Sequence, residues 1–226
     1  MITINDINIS YERKIIDSLS LSLSDSNIHG IVGLNGAGKT TLLNTIFGLK
    51  KPDSGTILYN SQKLSKKQMS FLTTENFFYA GITGEEYLSL FKNEQFNVTQ
   101  WNELFLLPLK QDISEYSTGM RKKLALMGVL KQNKPIMILD EPFNGLDIEA
   151  CRIIRTILLR LKEQGKTIMI TSHIIETLTN LCDYIHYLEK GKIKYSKEKN
   201  EFDNFQKELF EAIEQKNNEL INTILN

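Results

Sequence analysis

The sequence predicts an α/β fold: a parallel sheet covered by helices on both faces, a β-rich start, and a helical insert. Three observations carry this. Two continuous apolar runs, Pro135 to Leu139 and Thr167 to Ile170, are joined by helix-spaced residues from Ile148 to Lys162. Strands without polar alternation are buried on both faces, and a strand, a helix and a second strand form a right-handed crossover. A third apolar run, Ile28 to Val32, leads through a glycine-rich loop into Thr41-Leu42-Leu43-Asn44-Thr45-Ile46-Phe47, which has helical spacing. From about Gly84 to Gly128 the period is helical as well.

The remaining elements follow in chain order. Residues 2 to 11 and 19 to 25 alternate, as in Ile2-x-Ile4 and Leu19-x-Leu21-x-Leu23, which is the period of half-buried strands. Lys51-Pro52-Asp53-Ser54-Gly55 is a turn, after which Thr56 to Tyr59 resumes a strand and Gln68 to Leu72 forms another. The insert carries Tyr87, Leu88, Leu90 and Phe91, then Trp101, Leu104 and Phe105, then Leu124, Leu126 and Met127. Phe202, Phe205, Leu209, Ala212, Ile213, Leu220 and Ile224 fall on one stripe of a C-terminal helix, read as packing on the core, with docking or regulation as the alternative. The division that results is 1–74 with 130–200 as a core, 75–129 as a helical subdomain, and 201–226 as the C-terminal helix.

Composition narrows the partners. The 226 residues suit one sizeable domain, and 27 Lys plus Arg balance 27 Asp plus Glu, so no overall field favours nucleic acid or anionic lipid. No apolar run approaches the roughly 18 residues of a spanning helix, and Met1 to Asn5 lacks the regions of a secretion signal, so a chain soluble by itself is expected. Cys151 and Cys182 are read as reduced thiols, far apart and without metal-ligand spacing.

Gly33-Leu34-Asn35-Gly36-Ala37-Gly38-Lys39-Thr40 lies between a strand and a helix and matches G-x-x-x-x-G-K-[ST], the pattern of a phosphate cradle. Its glycines let backbone N–H groups point inward at the positive end of the helix. Lys39 is expected at the β- and γ-phosphates, the Thr40 hydroxyl at Mg²⁺ and Thr41 at the α-phosphate. Asp140 and Glu141 end an apolar strand at the sheet edge where the loop also emerges, which suits Asp140 to hold Mg²⁺ and Glu141 to polarise the water attacking the γ-phosphate. Thr171-Ser172-His173 arrives at the same edge, where the His173 imidazole can donate to the γ-phosphate, whereas His29 and His186 are read as structural. Ser117 is a candidate N-cap in Tyr116-Ser117-Thr118-Gly119-Met120, a helix start that suits a phosphate, and the basic run Arg121-Lys122-Lys123 is read as a solvated face.

Phosphate loop, helical insert, Ser-x-Gly helix start, Asp-Glu strand end and Ser-His strand end occur in an order that resembles the nucleotide-binding domain of the ATP-binding cassette (ABC) family, over residues 2 to 195. The resemblance implies an α/β P-loop NTPase (RecA-like) core with an N-terminal antiparallel β-subdomain and an inserted α-helical subdomain. ATP and Mg²⁺ would be the cofactors. It implies that Tyr11 stacks on adenine, that Asp147 communicates across a dimer, and that Ser117, Thr118, Gly119 and Met120 meet the ATP held by Gly33 to Thr41 of a second subunit. The expected protein is a transport ATPase that pairs as a homodimer or heterodimer. It would work on the cytoplasmic side of the membrane with a separate transmembrane permease, and without nucleic acid.

Two positions depart from the family pattern. The signature usually reads Leu-Ser-Gly-Gly-Gln, and this variant is similar to those in bacterial exporters of peptides, antibiotics and lipids. Phe71-Leu72-Thr73-Thr74-Glu75-Asn76 lacks the usual glutamine, so that Thr74 or Glu75 stands near the metal: Thr74 is too short without a bridging water, and Glu75 adds negative charge. The alternatives to a transport subunit are a soluble cassette ATPase and a degenerate regulatory subunit.

Overall fold

The structure, a computed structural model, describes residues 1–205, 207 and 210. The alternating start forms β1 (Ile2–Ser10) and β2 (Lys14–Leu23), antiparallel to one another. Ile2, Ile4, Ile7 and Ile9 of β1 are buried, and the step of three between Ile4 and Ile7 marks a bulge at Asp6, whose φ is 46°. β4 (Ser54–Tyr59) pairs antiparallel with the other side of β1, and the two-residue β5 (Gln62–Lys63) closes the sheet in the order β2-β1-β4-β5.

The second sheet is built of β3 (Ile28–Val32), β6 (Met69–Leu72), β7 (Ile136–Leu139), β8 (Thr167–Ser172), β9 (Tyr184–Glu189) and β10 (Lys192–Glu198). Its order is β10-β9-β3-β8-β7-β6, parallel throughout except for β10 at one edge. The apolar runs are continuous because each strand supplies two cores. Ile136 and Ile138 face the four-stranded sheet and α1 (Lys39–Phe47), while Met137 and Leu139 face the helices on the opposite side.

That helical side holds α4 (Thr118–Lys131), α5 (Ile148–Glu163) and the short α6 (Ile175–Thr179). α2 (Gly84–Ser89) and α3 (Val98–Phe105) precede α4, as the helical period from Gly84 predicts. α4 is buried from Leu124 to Leu130 on all sides, and α2 packs on it so closely that Phe91 and Tyr87 lie over Gly128. At the end of the described chain, residues 202–205 are helical, and Phe202 and Phe205 are buried in the core. The expected stripe positions Leu209, Ala212, Ile213, Leu220 and Ile224 lie outside the described residues. Among the described residues no helix is long and apolar enough to cross a membrane.

Candidate functional site

Because β3, β6, β7 and β8 are parallel, their C-terminal ends reach one edge of the sheet, and four segments of sequence meet there. From β3 comes the loop into α1. Gly36 and Gly38 have φ of 79° and 107°, and a Cβ on Gly33 would sit 2.3 Å from the Leu188 carbonyl oxygen of β9, so the loop needs glycine for both conformation and clearance. Lys39 is 8% exposed and folds back over the loop, its Nζ donating to the carbonyls of Gly33 at 2.7 Å and Leu34 at 3.4 Å. Burial pushes the Lys39 ammonium below its usual range, and Glu141 and Asp140 oppose that fall. Glu141 Oε1 stands 3.9 Å from Lys39 Nζ.

From β7 comes Asp140, fully buried and enclosed by hydroxyls. Its Oδ2 accepts from Thr40 Oγ1 at 2.8 Å and from Thr74 Oγ1 at 2.7 Å, and its Oδ1 accepts from Thr171 Oγ1 at 2.5 Å. Two threonine hydroxyls thus converge on one carboxylate oxygen. This all-oxygen donor set fits a hard cation such as Mg²⁺ and would suit a thiophilic metal poorly. Glu141 follows with φ 48°, left-handed and costly for a side chain of its size. Its amide donates to Thr171 Oγ1 at 2.9 Å, and its Oε2 lies 3.1 Å from Nδ1 of His173, which arrives from β8.

These residues enclose a cleft of about 490 Å³, lined by loop residues Asn35 to Thr41 together with Thr74, Glu141, Asn144 and His173. Gly33 and Leu34 form the start of the loop just outside this lining. Arg13 and Ile15 also line the cleft, two residues that sequence reasoning did not single out; both sit where β2 begins, beside Gly38. Tyr11 is not in the lining. It is 59% exposed, with Lys50 Nζ 4.7 Å from its ring centroid. Between the two candidates after β6, Thr74 lines the cleft and its Oγ1 bonds Asp140 directly. Glu75 is exposed outside the lining.

Ser117, Thr118, Gly119 and Met120 are likewise absent from the lining. Ser117 caps α4, accepting from the Met120 amide at 3.2 Å, and the turn rests on the 144–147 loop, where a Cβ on Gly119 would lie 3.1 Å from Gly145 O. Asp147 caps α5 by accepting from Ala150 N at 2.7 Å and stands 3.7 Å from Lys123. The basic run beyond Ser117 is only partly a solvated face: Arg121 is exposed and Lys123 half-buried, but Lys122 turns inward and is buried. His29 and His186 are buried away from the cleft, 3.2 Å apart between ring nitrogens.

Residues 16–144 match the sequence profile of the family described as ABC transporter. The chain is 31% identical over 234 residues to a Bacillus subtilis protein assigned as the ABC transporter ATP-binding protein AlbC, covering 94% of this chain and 98% of that one. It is 30% identical over 226 residues to the lantibiotic transport ATP-binding protein SrtF of Streptococcus pyogenes, covering 93% and 96%. Among solved structures it resembles the dimeric ATP-binding cassette MJ0796 in a post-hydrolysis state bound to ADP and Pi, with a TM-score of 0.75 at 19% identity, covering 88% of this chain and 98% of that one. At that identity the likeness is one of fold.

Proposed function

The chain belongs to the ABC transporter family of ATP-binding proteins, and from that premise we propose that it is the ATP-hydrolysing subunit of a transporter whose membrane-spanning part is a separate polypeptide. One observation carries the reading. The lysine-bearing loop, the Asp140 hydroxyl cluster and the Glu141–His173 pair share one cleft, while the Ser117 turn of the same molecule lies outside it. A site of this kind is half a site. In the proposed assembly the Ser117 turn of one copy, or of a second cassette protein, closes over the nucleotide held by the other.

Each residue then has a task. The N–H groups from Gly33 to Thr41 cradle the phosphates and Lys39 moves from the loop carbonyls onto the β- and γ-phosphate oxygens. Thr40 and Asp140, with Thr74 beside them, would hold Mg²⁺, which would neutralise charge on the β- and γ-oxygens. Glu141 takes the proton of the attacking water, and His173 orients the Glu141 carboxylate while presenting its other nitrogen to the cleft. Tyr11 would have to swing from Lys50 to meet a base. Asp147, beside the Ser117 turn, would signal across the dimer. Closure follows only if ATP binds the closed state more tightly than the open one.

Transport is supported by the similarity to SrtF, a lantibiotic transport ATP-binding protein, and by an exposed aromatic pair next to the Thr74 loop. Phe77 is 80% exposed and packs edge-on against Tyr79 at 5.6 Å between centroids, a surface suited to a helix of a membrane subunit. The proposed location is therefore the cytoplasmic face of the membrane, with residues 75–129 as the moving helical subdomain. The test is Glu141→Gln: turnover is expected to fall by about 10² to 10⁴-fold, the range of a general base. ATP should remain bound and a dimer should accumulate on size exclusion. Wild-type turnover in that variant would remove Glu141 as the base.

A further inference from the structure

The three basic residues that follow the Ser117 turn are each tied to a different part of the molecule. Arg121 donates to Ser114 O at 2.8 Å and Ile113 O at 3.3 Å, and Lys123 faces Asp147. Lys122 is different. It is 5% exposed, and its Nζ donates to the Thr74 carbonyl at 3.1 Å and to the Glu141 carbonyl at 3.2 Å. Among the described residues, the buried side chains that carry formal charge are Lys39, Lys122, Asp140 and Glu141, two of each sign, so the site balances only when Lys122 is counted. A cation held this far from water must be compensated, and here the compensation comes from the two carboxylates of the cleft and the two carbonyls.

The carbonyls it selects matter. Glu141 has the left-handed backbone described above, with its amide fixed by Thr171 of β8 and its carbonyl by Lys122 of α4. Thr74 bonds Asp140 through its side chain and α4 through its carbonyl. Lys122 lies five positions beyond Ser117, the N-cap of α4, a rise of about 7.5 Å. We propose that Lys122 is a positioning residue that holds the Glu141 and Thr74 peptides in register with α4, so that displacement of the Ser117 end of the helix is felt at the attacking-water side of the same subunit's cleft. This inference rests on the function proposed above.

The experiment compares Lys122→Met, which keeps the length and removes charge and donors, with Lys122→Arg, which restores both. In nucleotide-free protein, hydrogen exchange is expected to quicken in Lys122→Met over residues 74–76 and 141–144, with α5 protected as in wild type. With ATP, kcat should drop about tenfold or more while KM stays within about twofold, as expected when reacting groups are misplaced without loss of binding. Lys122→Arg should recover both readings. Unchanged exchange and kcat in a folded Lys122→Met protein would overturn the inference, and so would a global loss of protection that Lys122→Arg fails to reverse. A wild-type protein without ATP turnover would sink the proposed function instead, whereas wild-type turnover matched by Lys122→Met would sink only the role of Lys122.

Discussion

Thr171 shows how much one hydroxyl organises at the sheet edge. It donates to Asp140 Oδ1 and accepts from the Glu141 amide, and both hydrogen bonds are buried. Thr171→Val keeps the shape but leaves that amide without a partner, which costs about 1–3 kcal/mol for a buried donor. Urea denaturation should show a loss in that range, and unchanged stability would mean that the Glu141 peptide is not pinned as described. Residues named by motif, from Gly33 to Thr41 and at Asp140, Glu141 and His173, were legible because each motif states its own chemistry. Thr171 and Lys122 were not. The sequence sets Thr171 at the sheet edge ahead of His173 but gives its hydroxyl no task, and Lys122 reads as one of three surface cations until the fold shows which of them faces inward. Arg13 and Ile15 belong to no motif at all.

Strands β3 and β9 carry a second buried polar feature, and it dictates a pH dependence. His29 Nε2–H donates to Ser24 O at 2.9 Å, so His29 Nδ1 accepts from His186 Nε2–H at 3.2 Å, and His186 Nδ1 accepts from Ser196 Oγ at 2.9 Å. Each ring carries one proton and is neutral. Burial and the neighbouring His29 push His186 down to about 3 from 6.5, and burial lowers His29 as well. A folded value below the unfolded one means that stability is fully present above pH 6.5 and is lost as the pH falls toward 3. His186 alone should remove about 1.4 kcal/mol per pH unit below that point. Denaturation at pH 7 and pH 5 should show the loss in wild type and a smaller one in His186→Gln; equal losses would contradict the assignment. Strands β9 and β10 were not read from the sequence. His186 interrupts the apolar run of β9, and β10 is mostly exposed at the sheet edge, so neither period stands out. Strands β7 and β8 and the helices α1, α4 and α5 were legible because nothing interrupts their patterns, and β3, despite His29, because the phosphate-loop motif follows it, whereas the bulge at Asp6 breaks the alternation of β1 midway.

For the whole molecule, the order of motifs along the chain made the family legible, and family membership then fixes the frame for the half-site. In the assembly proposed above, one copy leaves the cleft incomplete, since its own Ser117 turn caps α4 outside the lining. The most direct test mixes two disabled variants. Lys39→Ala spoils the loop; Ser117→Asp keeps a good helix cap but sets a negative charge where the partner's phosphate would lie. Each variant alone should be nearly inactive while still folded. Mixed, they form dimers with one intact composite site, and ATP turnover should return. Wild-type turnover by Ser117→Asp alone, or no recovery in a mixture shown to contain the mixed dimer, would contradict the composite site.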